Sequence, residues 1–323
     1  MDSITQAVLG AAIGEAVLGK KVGRAGAATG AVVATLPDLD IFLYAFYDKF
    51  SMLSIHRGYS HSLVGSLLGA ILLVYVLKKI RSTKEVSYRR LWFFSWLALF
   101  THALLDTFTA YGTQLFLPFS NARAGFDSIN IIDPFYTVPL IIGLIFALFV
   151  RKNEANRSKY NTAGLLVSSF YLLVTLGVKQ YVVYCFETEL AEQNIDYNDL
   201  LTMPVGTASI DWYGVAKTEE DLYMHKYSLL KNQMLPFEYF PVNEHLLKEM
   251  NSEAAECMKW FAKGFYVVRK HEKDLYFYNL QVDMRGPLDT QTGRVPTTGY
   301  FIITPQPDGD FLFSSGTHTK SNR

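Results

Sequence analysis

Histidine and aspartate residues recur at the ends of apolar segments in three short stretches of this chain. The stretches are Pro37-Asp38-Leu39-Asp40, His56-Arg57-Gly58-Tyr59-Ser60-His61-Ser62 and His102-Ala103-Leu104-Leu105-Asp106. Ionisable side chains are costly beside hydrocarbon, so those found there commonly serve a function. Imidazole and carboxylate groups are the usual ligands of zinc in enzymes. The three stretches therefore predict a metal site built among apolar segments.

The spacing within each stretch favours binding of one metal ion by several of its side chains. His102 and Asp106 are separated by four residues, so on a helix both side chains project from one face. His56 and His61 lie at the entrance to an apolar segment, where a serine can cap a helix. Three histidines with two to four carboxylates suit zinc, or a pair of metal ions, better than calcium or magnesium, which prefer oxygen ligands alone.

Composition separates the chain into two parts. It has 323 residues, half of them hydrophobic and 15% aromatic, with a formal net charge of zero, so nothing points to nucleic acid. The apolar excess is concentrated before about Val183, and the rest mixes charges, aromatic residues and turn residues as a soluble domain does. We expect a helical membrane domain over residues 1–183 and a soluble domain over 184–323. Cys185 and Cys257 are expected to be free thiols.

Six apolar segments lie in the first part. They run from about Ser3 to Gly19, Ala25 to Tyr47, Ser62 to Leu77, Leu91 to Phe108, Phe135 to Val150 and Thr162 to Val183. Some are shorter than the ~20 residues that cross a bilayer, but as a set they predict about six membrane helices. The first two are rich in glycine and alanine, which predicts a tight hairpin.

Basic residues in alternate connectors set the expected orientation. They are Lys20, Lys21 and Arg24, then Lys78, Lys79, Arg81, Lys84, Arg89 and Arg90, then Arg151, Lys152, Arg157 and Lys159. Connectors of this kind stay in the cytoplasm, so the other connectors face outward. The outward connectors and helix ends carry Asp2, Gln6, Asp38, Asp40, His56, His61, His102, Asp106, Asp127 and Asp133. Because successive connectors alternate between the two sides, we expect the candidate residues at the outer face of a bacterial-type cytoplasmic membrane. The same alternation predicts an extracytoplasmic C-terminal domain.

The soluble part shows the alternation of β-strands. Alternating runs lie at about Thr207 to Ala216, Leu222 to Leu229, Phe265 to His271, Leu275 to Met284 and Thr298 to Thr304, with a helix expected from Asn243 to Phe261. The pattern predicts an α+β domain with one antiparallel sheet.

The N-terminal part resembles the YdjM-like family, whose members are described as membrane-bound metal-dependent hydrolases. The resemblance rests on the Met-Asp-Ser-Ile-Thr opening, the three stretches above, Thr109-Ala110-Tyr111-Gly112 and Pro118-Phe119, and it covers about Met1 to Val150. The motifs are also similar in pattern to those of zinc-dependent phospholipase C enzymes and single-strand nucleases.

The resemblance implies a ligand set. It makes Asp38, His61, His102 and Asp106 the first candidates for metal ligands, with His56 and Asp40 next. Gln6 departs from the pattern, because many relatives carry histidine at that position. Either the first ligand of the family is missing here, or Gln6 binds the metal through its amide oxygen.

These residues suggest a hydrolase that acts on an ester or phosphodiester. A bound metal would lower the pKa of a water molecule, and Arg57 would stabilise developing negative charge. Asp40 or Asp106 would accept the proton. A site at the outer face of the bilayer suits a lipid or another envelope-derived substrate.

Two other functions remain open at this stage. A transporter also holds charged residues among short helices, although transporters commonly show internal repeats and binding sites near the bilayer midplane. A non-catalytic envelope scaffold could keep the metal for structure alone. Structural zinc sites are closed by protein ligands, whereas catalytic sites leave a position for water.

Overall fold

The chain forms two compact units. The computed structural model describes residues 1–149, 155–206, 209–231, 233–234, 237–281, 295, 297, 299–306 and 310–317. The first unit consists of Met1–Tyr47 and Ile55–Leu176, and the second of Asp48–Ser54 and Gly177–Arg323. The predicted domain boundary at Val183 lies in the same long helix as this division.

Helices make up the first unit and the start of the second. They are α1 (Ser3–Val22), α2 (Arg24–Thr35), a 3₁₀ helix (Pro37–Ala45), α3 (Met52–Ile55), a 3₁₀ helix (Tyr59–His61), α4 (Leu63–Leu77), α5 (Tyr88–Thr107), α6 (Pro134–Phe149) and α7 (Ala155–Glu192). In the first unit, α1 packs against α2, α5 and α6, and α4 packs against α5. Leu18, Leu91 and Phe94 are fully buried in the shared core.

The expectation of about six membrane helices is wrong. Within the described residues, only α7 is long and apolar enough to cross a bilayer, and the number rises to three if two bent helix pairs each count as one span. These pairs are Arg24–Thr35 with Pro37–Ala45, and Met52–His61 with Leu63–Leu77. The other segments fall short for a physical reason: α6 has 16 residues, and α1 and α5 carry ionisable groups such as Glu15 and Asp106.

Glycines allow α1 and α2 to pack at very short range. A Cβ atom at Gly10 would lie 2.3 Å from the carbonyl oxygen of Gly30, and one at Gly30 would lie 2.0 Å from that of Gly10. Backbones this close exclude any side chain, as small-residue helix interfaces do. At the start of α1, Asp2 caps the helix by accepting hydrogen bonds from the backbone N–H groups of Ile4 and Thr5. This packing holds the N-terminal helix beside α5.

The second unit contains two antiparallel sheets, where the sequence predicted one. The first sheet is built from β1 (Asp199–Val205), β2 (Asp211–Lys217), β3 (Asp221–Ser228), β4 (Gln233–Met234) and β5 (Glu238–Pro241), with both short strands paired to β3. The second sheet has the order β6 (Tyr266–His271), β7 (Asp274–Asn279), β8 (Gly299–Pro305) and β9 (Phe311–Thr317). The predicted runs correspond to β2, β3, β6, β7 and β8, and the end of the run predicted to Met284 lies outside the described residues.

The helix predicted from Asn243 to Phe261 is divided in two. A 3₁₀ helix covers Glu244–Glu249, and α8 covers Ser252–Phe261. The break occurs because Asn251 is extended and caps α8, its side chain accepting a 2.7 Å hydrogen bond from the N–H of Ala254. A capping residue inside an amphipathic pattern ends one helical segment and begins the next.

Candidate metal centre

Four side chains from three elements of the helical unit converge on one point. Asp38 lies on the 3₁₀ helix that follows α2, His61 ends the 3₁₀ helix before α4, and His102 and Asp106 occupy the last two turns of α5. Each offers one ligand atom, and these atoms all lie within 4.8 Å of one another. We call Asp38, His61, His102 and Asp106 the four-residue cluster. Three of its members are fully buried, and the side chain of Asp38 is 26% exposed.

The distances within the cluster suit a small divalent cation. The Nε2 atoms of His61 and His102 are 3.0 Å apart, and each lies 3.4 Å from Oδ1 of Asp38. Oδ2 of Asp106 is 3.5 Å from Nε2 of His61 and 3.8 Å from that of His102. Ligand atoms placed ~2.0 Å from a tetrahedral zinc ion are about 3.3 Å from one another. The cluster is therefore close to the spacing that zinc requires.

N-terminal residues contact the Asp106 carboxylate oxygen that faces away from the two histidines. Its Oδ1 atom accepts a 3.0 Å hydrogen bond from Nε2 of Gln6 and pairs with the amino group of Met1. Gln6 also donates to the carbonyl oxygen of His102 at 3.2 Å. Gln6 thus orients Asp106 through its amide nitrogen, so that Oδ2 points at the two histidines.

Asp40 contacts residues that flank the four-residue cluster. One of its oxygens lies 2.7 Å from Nδ1 of His56, and the other accepts hydrogen bonds from the backbone N–H of Arg57 at 3.1 Å and the hydroxyl of Ser60 at 2.7 Å. The Ser60 oxygen is in turn 2.8 Å from Nδ1 of His61. A partner on one ring nitrogen fixes the orientation of a ligand histidine and leaves the other nitrogen for the metal.

The predicted site residues thus separate into two groups. Asp38, His61, His102 and Asp106 lie together in the four-residue cluster. Asp40 and His56 form a hydrogen-bonded pair next to it, with the His56 side chain 27% exposed. Arg57 contacts both groups: its backbone N–H donates to Asp40, and its Nε atom is 3.5 Å from Oδ2 of Asp106.

Local sequence explains how the loop before α4 carries His61 into the site. Ser62 is the N-cap of α4, and its hydroxyl oxygen accepts a 2.8 Å hydrogen bond from the N–H of Gly65. A Cβ atom at Gly65 would lie 1.8 Å from the carbonyl oxygen of Tyr59, so glycine is required for this turn. The turn directs the His61 ring toward α5.

Several buried polar atoms of the site make no hydrogen bond within the described residues. They are Oε1 of Gln6, Nε and Nη1 of Arg57, Nδ1 of His102 and Oδ2 of Asp106. A buried carboxylate oxygen without a hydrogen bond is costly, and a cation between Asp106 and the histidines would satisfy it. The donor set of two imidazoles and two carboxylates matches this explanation.

Sequence reasoning did not identify the groups that orient the ligands. The hydroxyl of Ser60 and the amino group of Met1 both contact site residues. The Tyr111 ring contacts two arginines, with the guanidinium carbons of Arg57 and Arg123 at 4.7 and 4.1 Å from the ring centroid. Met1, Ser60 and Tyr111 belong to motifs on which the family resemblance rests, whereas Arg123 carried no signal in the sequence.

Comparison with known proteins identifies the helical part of the chain. Residues 1–182 match the family model described as YdjM inner membrane protein. The chain belongs to the YdjM family. The matched residues include every member of the four-residue cluster, along with Gln6, Asp40, His56 and Arg57.

Two curated relatives are similar over part of their length. The uncharacterized protein YfhP of Bacillus subtilis (strain 168) is 34% identical over 142 residues, which is 42% of each chain. The inner membrane protein YbcI of Escherichia coli (strain K12) is 31% identical over 83 residues, or 26% of this chain and 46% of YbcI. The chain therefore spans less than half the length of these relatives. No solved structure gives a significant match.

Membership in the YdjM family and the long apolar helix α7 together support a membrane location. The names of the two relatives state no enzymatic activity. The chemistry of this family member must therefore be argued from the cluster itself.

Proposed function

We propose that this chain is a membrane-bound metal-dependent hydrolase that uses zinc held by the four-residue cluster. The observation that carries the proposal is the convergence of three buried donors and the partly exposed Asp38 beside the Arg57 guanidinium. Buried ligands hold an ion firmly, while the exposed edge at Asp38 admits a substrate. A divalent metal at such a site supplies Lewis-acid chemistry by lowering the pKa of water and polarising an ester or phosphoryl oxygen.

Arg57 supplies positive charge beside the metal ligands. Its guanidinium lies against Asp106, and two of its buried nitrogens make no hydrogen bond with any residue that the structure describes. Donors that are already in place when negative charge develops contribute more to catalysis than mobile ones. We assign Arg57 the role of stabilising the anionic transition state of hydrolysis.

Asp40 is better placed than Asp106 to accept a proton during the reaction. Asp106 is engaged by Gln6, the Met1 amino group and Arg57. Asp40 instead holds His56, whose side chain reaches solvent. The Asp40–His56 pair can hold a proton taken from water at the edge of the site, as a carboxylate-oriented histidine does in other hydrolases.

The proposed substrate is an ester or phosphodiester from the lipid or another component of the cell envelope. If α7 and the two bent helix pairs each cross the membrane, the basic residues around Lys20 and Lys84 lie on the cytoplasmic side, which supports a multi-pass chain whose C-terminal domain faces outward. Reporter fusions test this orientation: a fusion after Lys84 should read cytoplasmic and one after Asn194 external. The reverse result would contradict the outward-facing C-terminal domain.

A structural metal is the second candidate function, and one observation favours it. Four protein ligands are enough to close a tetrahedral zinc site, and closed sites are characteristic of structural zinc. In that case the metal would hold the 3₁₀ helices against α5 and would catalyse nothing. The metal-loaded protein would then be more stable than the metal-free protein and equally inactive.

Hydrolysis assays on purified protein of defined metal content separate the two candidates. The wild type and the His102→Ala variant would be loaded with zinc and tested on bis-p-nitrophenyl phosphate, dihexanoylphosphatidylglycerol and p-nitrophenyl butyrate. The proposal predicts zinc-dependent turnover by the wild type that His102→Ala abolishes. Stoichiometric zinc without turnover on any of these esters would favour the structural role.

A further inference from the structure

The 3₁₀ helix Pro37–Ala45 places its acidic residues in the site and leaves its apolar residues exposed. Asp38 and Asp40 are its only charged residues, and both belong to the site described above. The structure describes all nine residues of this helix, and only Pro37 is buried. Its exposed large side chains are Leu39, Ile41, Phe42 and Tyr44. Contiguous apolar surface of this kind on a protein marks a region that contacts lipid or a partner.

The geometry of this helix aligns exposed side chains with a cluster member. In a 3₁₀ helix the side chains at positions i and i+3 lie in one row. Asp38, Ile41 and Tyr44 therefore form a single row, in which Ile41 and Tyr44 are exposed. The Asp38 side chain is 26% exposed, while the other three members of the four-residue cluster are fully buried. The open edge of the cluster is thus bordered by apolar and aromatic surface.

The segment that carries His61 has the same character. Its short 3₁₀ helix packs against Pro37–Ala45, and Tyr59 in this helix is exposed while His61 is fully buried. We call Ile41, Phe42, Tyr44 and Tyr59 the apolar rim. Beyond His61, exposed apolar side chains continue along α4 at Leu67, Leu68, Ile71 and Leu72. The rim is therefore continuous with the apolar surface of a candidate membrane helix.

Both ligand-bearing segments bend where they reach the cluster. The bent pairs are Arg24–Thr35 with Pro37–Ala45, at 47°, and Met52–His61 with Leu63–Leu77, at 60°. Asp38 directly follows the first break and His61 directly precedes the second, and Oδ1 of Asp38 lies 3.4 Å from Nε2 of His61. If each pair is one span, both segments continue past the cluster, which then lies within the membrane and not beyond its surface. Broken helices at that depth are buried in protein or line a cavity.

We infer that the four-residue cluster opens sideways into the bilayer and takes a membrane lipid as its substrate, in preference to a water-soluble ester. This inference rests on the proposed hydrolase function and names its substrate class. A membrane lipid carries its ester and phosphodiester bonds where the acyl chains meet the headgroup. Contacts between those chains and the apolar rim would bring such a bond to the open edge at Asp38. Membership in a family described as inner membrane protein supplies the bilayer that this arrangement requires.

Spin labels test the position of the rim without relying on metal or turnover. Cys185 and Cys257 would be replaced by serine, and a nitroxide would be attached to Phe42→Cys in full-length protein. The protein would be reconstituted in vesicles of dioleoylphosphatidylglycerol and dioleoylphosphatidylethanolamine. Phe42 is 69% exposed, and Phe170→Cys is the matched lipid-facing reference, since Phe170 is 66% exposed on α7. Lys84→Cys, in the connector between α4 and α5, is the water-facing reference.

Collisions with dissolved oxygen report lipid around a label, and collisions with a water-soluble nickel chelate report water. The Phe42 label should match the Phe170 label in the ratio of the two collision rates and should exceed the Lys84 label. A Phe42 label that collides with the nickel chelate as often as the Lys84 label would overturn the inference.

Turnover in the same vesicles tests the substrate class. Zinc-loaded protein would hydrolyse dioleoylphosphatidylglycerol as a bilayer component and bis-p-nitrophenyl phosphate in the aqueous phase, and the ratio of the two rates would be compared among variants. Phe42→Ser and Ile41→Ser should each lower this ratio about tenfold, because each removes contacts of one large apolar side chain with the acyl chains. Phe170→Ser, the matched control, should keep the wild-type ratio. Thermal unfolding identifies any variant that fails to fold, and two rim variants keep the test decisive if one does.

The outcomes separate this inference from the proposed function. Hydrolysis of bis-p-nitrophenyl phosphate by the wild type without hydrolysis of the bilayer lipid would refute the inference alone. Folded rim variants with the wild-type ratio would do the same. Absence of turnover on every ester would refute the proposed function, while the Phe42 label still reports whether the rim lies in lipid.

Discussion

Two groups of buried charges in the helical unit differ in how completely their polar atoms are paired. Glu15 on α1 and Arg157 on α7 form a two-pronged ion pair, with both N···O distances 2.5 Å. The four-residue cluster instead brings two carboxylates and two imidazoles together and, in the part of the chain that the structure describes, leaves Oδ2 of Asp106 and Nδ1 of His102 without hydrogen bonds. The first group is satisfied by its own members, and the second is not.

This difference is expected if the first group is structural and the second binds a ligand. A guanidinium and a carboxylate with two matched hydrogen bonds cancel each other's charge and need no third component. Asn161 adds to the structural role by donating a 2.8 Å hydrogen bond from α7 to the carbonyl oxygen of Ala12 on α1. Buried donors and acceptors that lie close together without hydrogen bonds are costly unless a bound ion or substrate supplies the missing contacts. The four following changes test the comparison.

Removal of a cluster ligand should have the largest effect. His102→Ala should reduce bound zinc from one ion to less than about a tenth of an ion per chain and lower hydrolysis by about 10³-fold or more, because the metal supplies the activated water. Metal analysis and turnover of bis-p-nitrophenyl phosphate measure the two effects. His271→Ala, which removes an exposed histidine of the second unit, is the control. Full metal content in His102→Ala would contradict the assignment of metal binding to the four-residue cluster.

Disruption of the Glu15–Arg157 pair should affect stability alone. Glu15→Gln leaves a buried guanidinium without its counter-charge, and we expect a loss of roughly 3 kcal/mol of unfolding free energy. Denaturant unfolding in detergent measures the loss, and zinc stoichiometry should remain at the wild-type value. If Glu15→Gln lost zinc while keeping its stability, the pair would belong to the metal centre.

Removal of a ligand-orienting group should have a moderate effect. Ser60→Ala deletes the hydroxyl that connects Nδ1 of His61 to Asp40. Loss of such outer contacts commonly weakens metal binding by roughly 10–100-fold, and we expect the lower end of that range because Asp40 stays nearby. Competition with a zinc chelator measures the affinity, with the exposed Ser82→Ala as the matched control. Unchanged affinity would mean that the orientation of His61 does not depend on this contact.

A surface ion pair of the second unit should show the smallest effect. The side-chain amine of Lys259 lies 2.6 Å from Glu244 and holds the pKa of that carboxyl below its usual range. The pair therefore stabilises the fold at neutral pH, and the contribution disappears as the pH falls through the lowered pKa. Exposed pairs contribute less than about 1 kcal/mol, so Glu244→Gln should change the thermal midpoint only slightly at pH 7, and the change should shrink further as the pH is lowered through the acidic range in which carboxyl groups titrate. A larger change, or any change in zinc content, would contradict this.

The sequence allowed much of the site to be predicted, because its chemistry is local. The four-residue separation of His102 and Asp106 and the run from His56 to Ser62 are visible without a structure. The roles within the site were not visible, since they depend on which loops meet. Asp40 lies two residues from Asp38, yet it contacts His56 and Ser60 and is not a member of the four-residue cluster.

The fold was less predictable for a related reason. Hydropathy identifies apolar segments, but it does not show whether a segment crosses a bilayer or bends within the protein. The polar residues of the four-residue cluster interrupt the apolar segments, which is why counting segments overestimated the membrane spans. In the second unit, alternation identified β2, β3, β6, β7 and β8 but not β1, β4, β5 or β9, and it could not show that the strands divide into two sheets.

The central claim is that the four-residue cluster holds one metal ion through two imidazoles and two carboxylates. Zinc K-edge X-ray absorption on purified full-length protein, with the zinc content of the same sample, tests it most directly. We predict one zinc ion per chain, nitrogen and oxygen ligands at about 2.0–2.1 Å, and no sulfur ligand near 2.3 Å. A sample without stoichiometric metal, or a spectrum showing sulfur from Cys185 or Cys257, would contradict the claim.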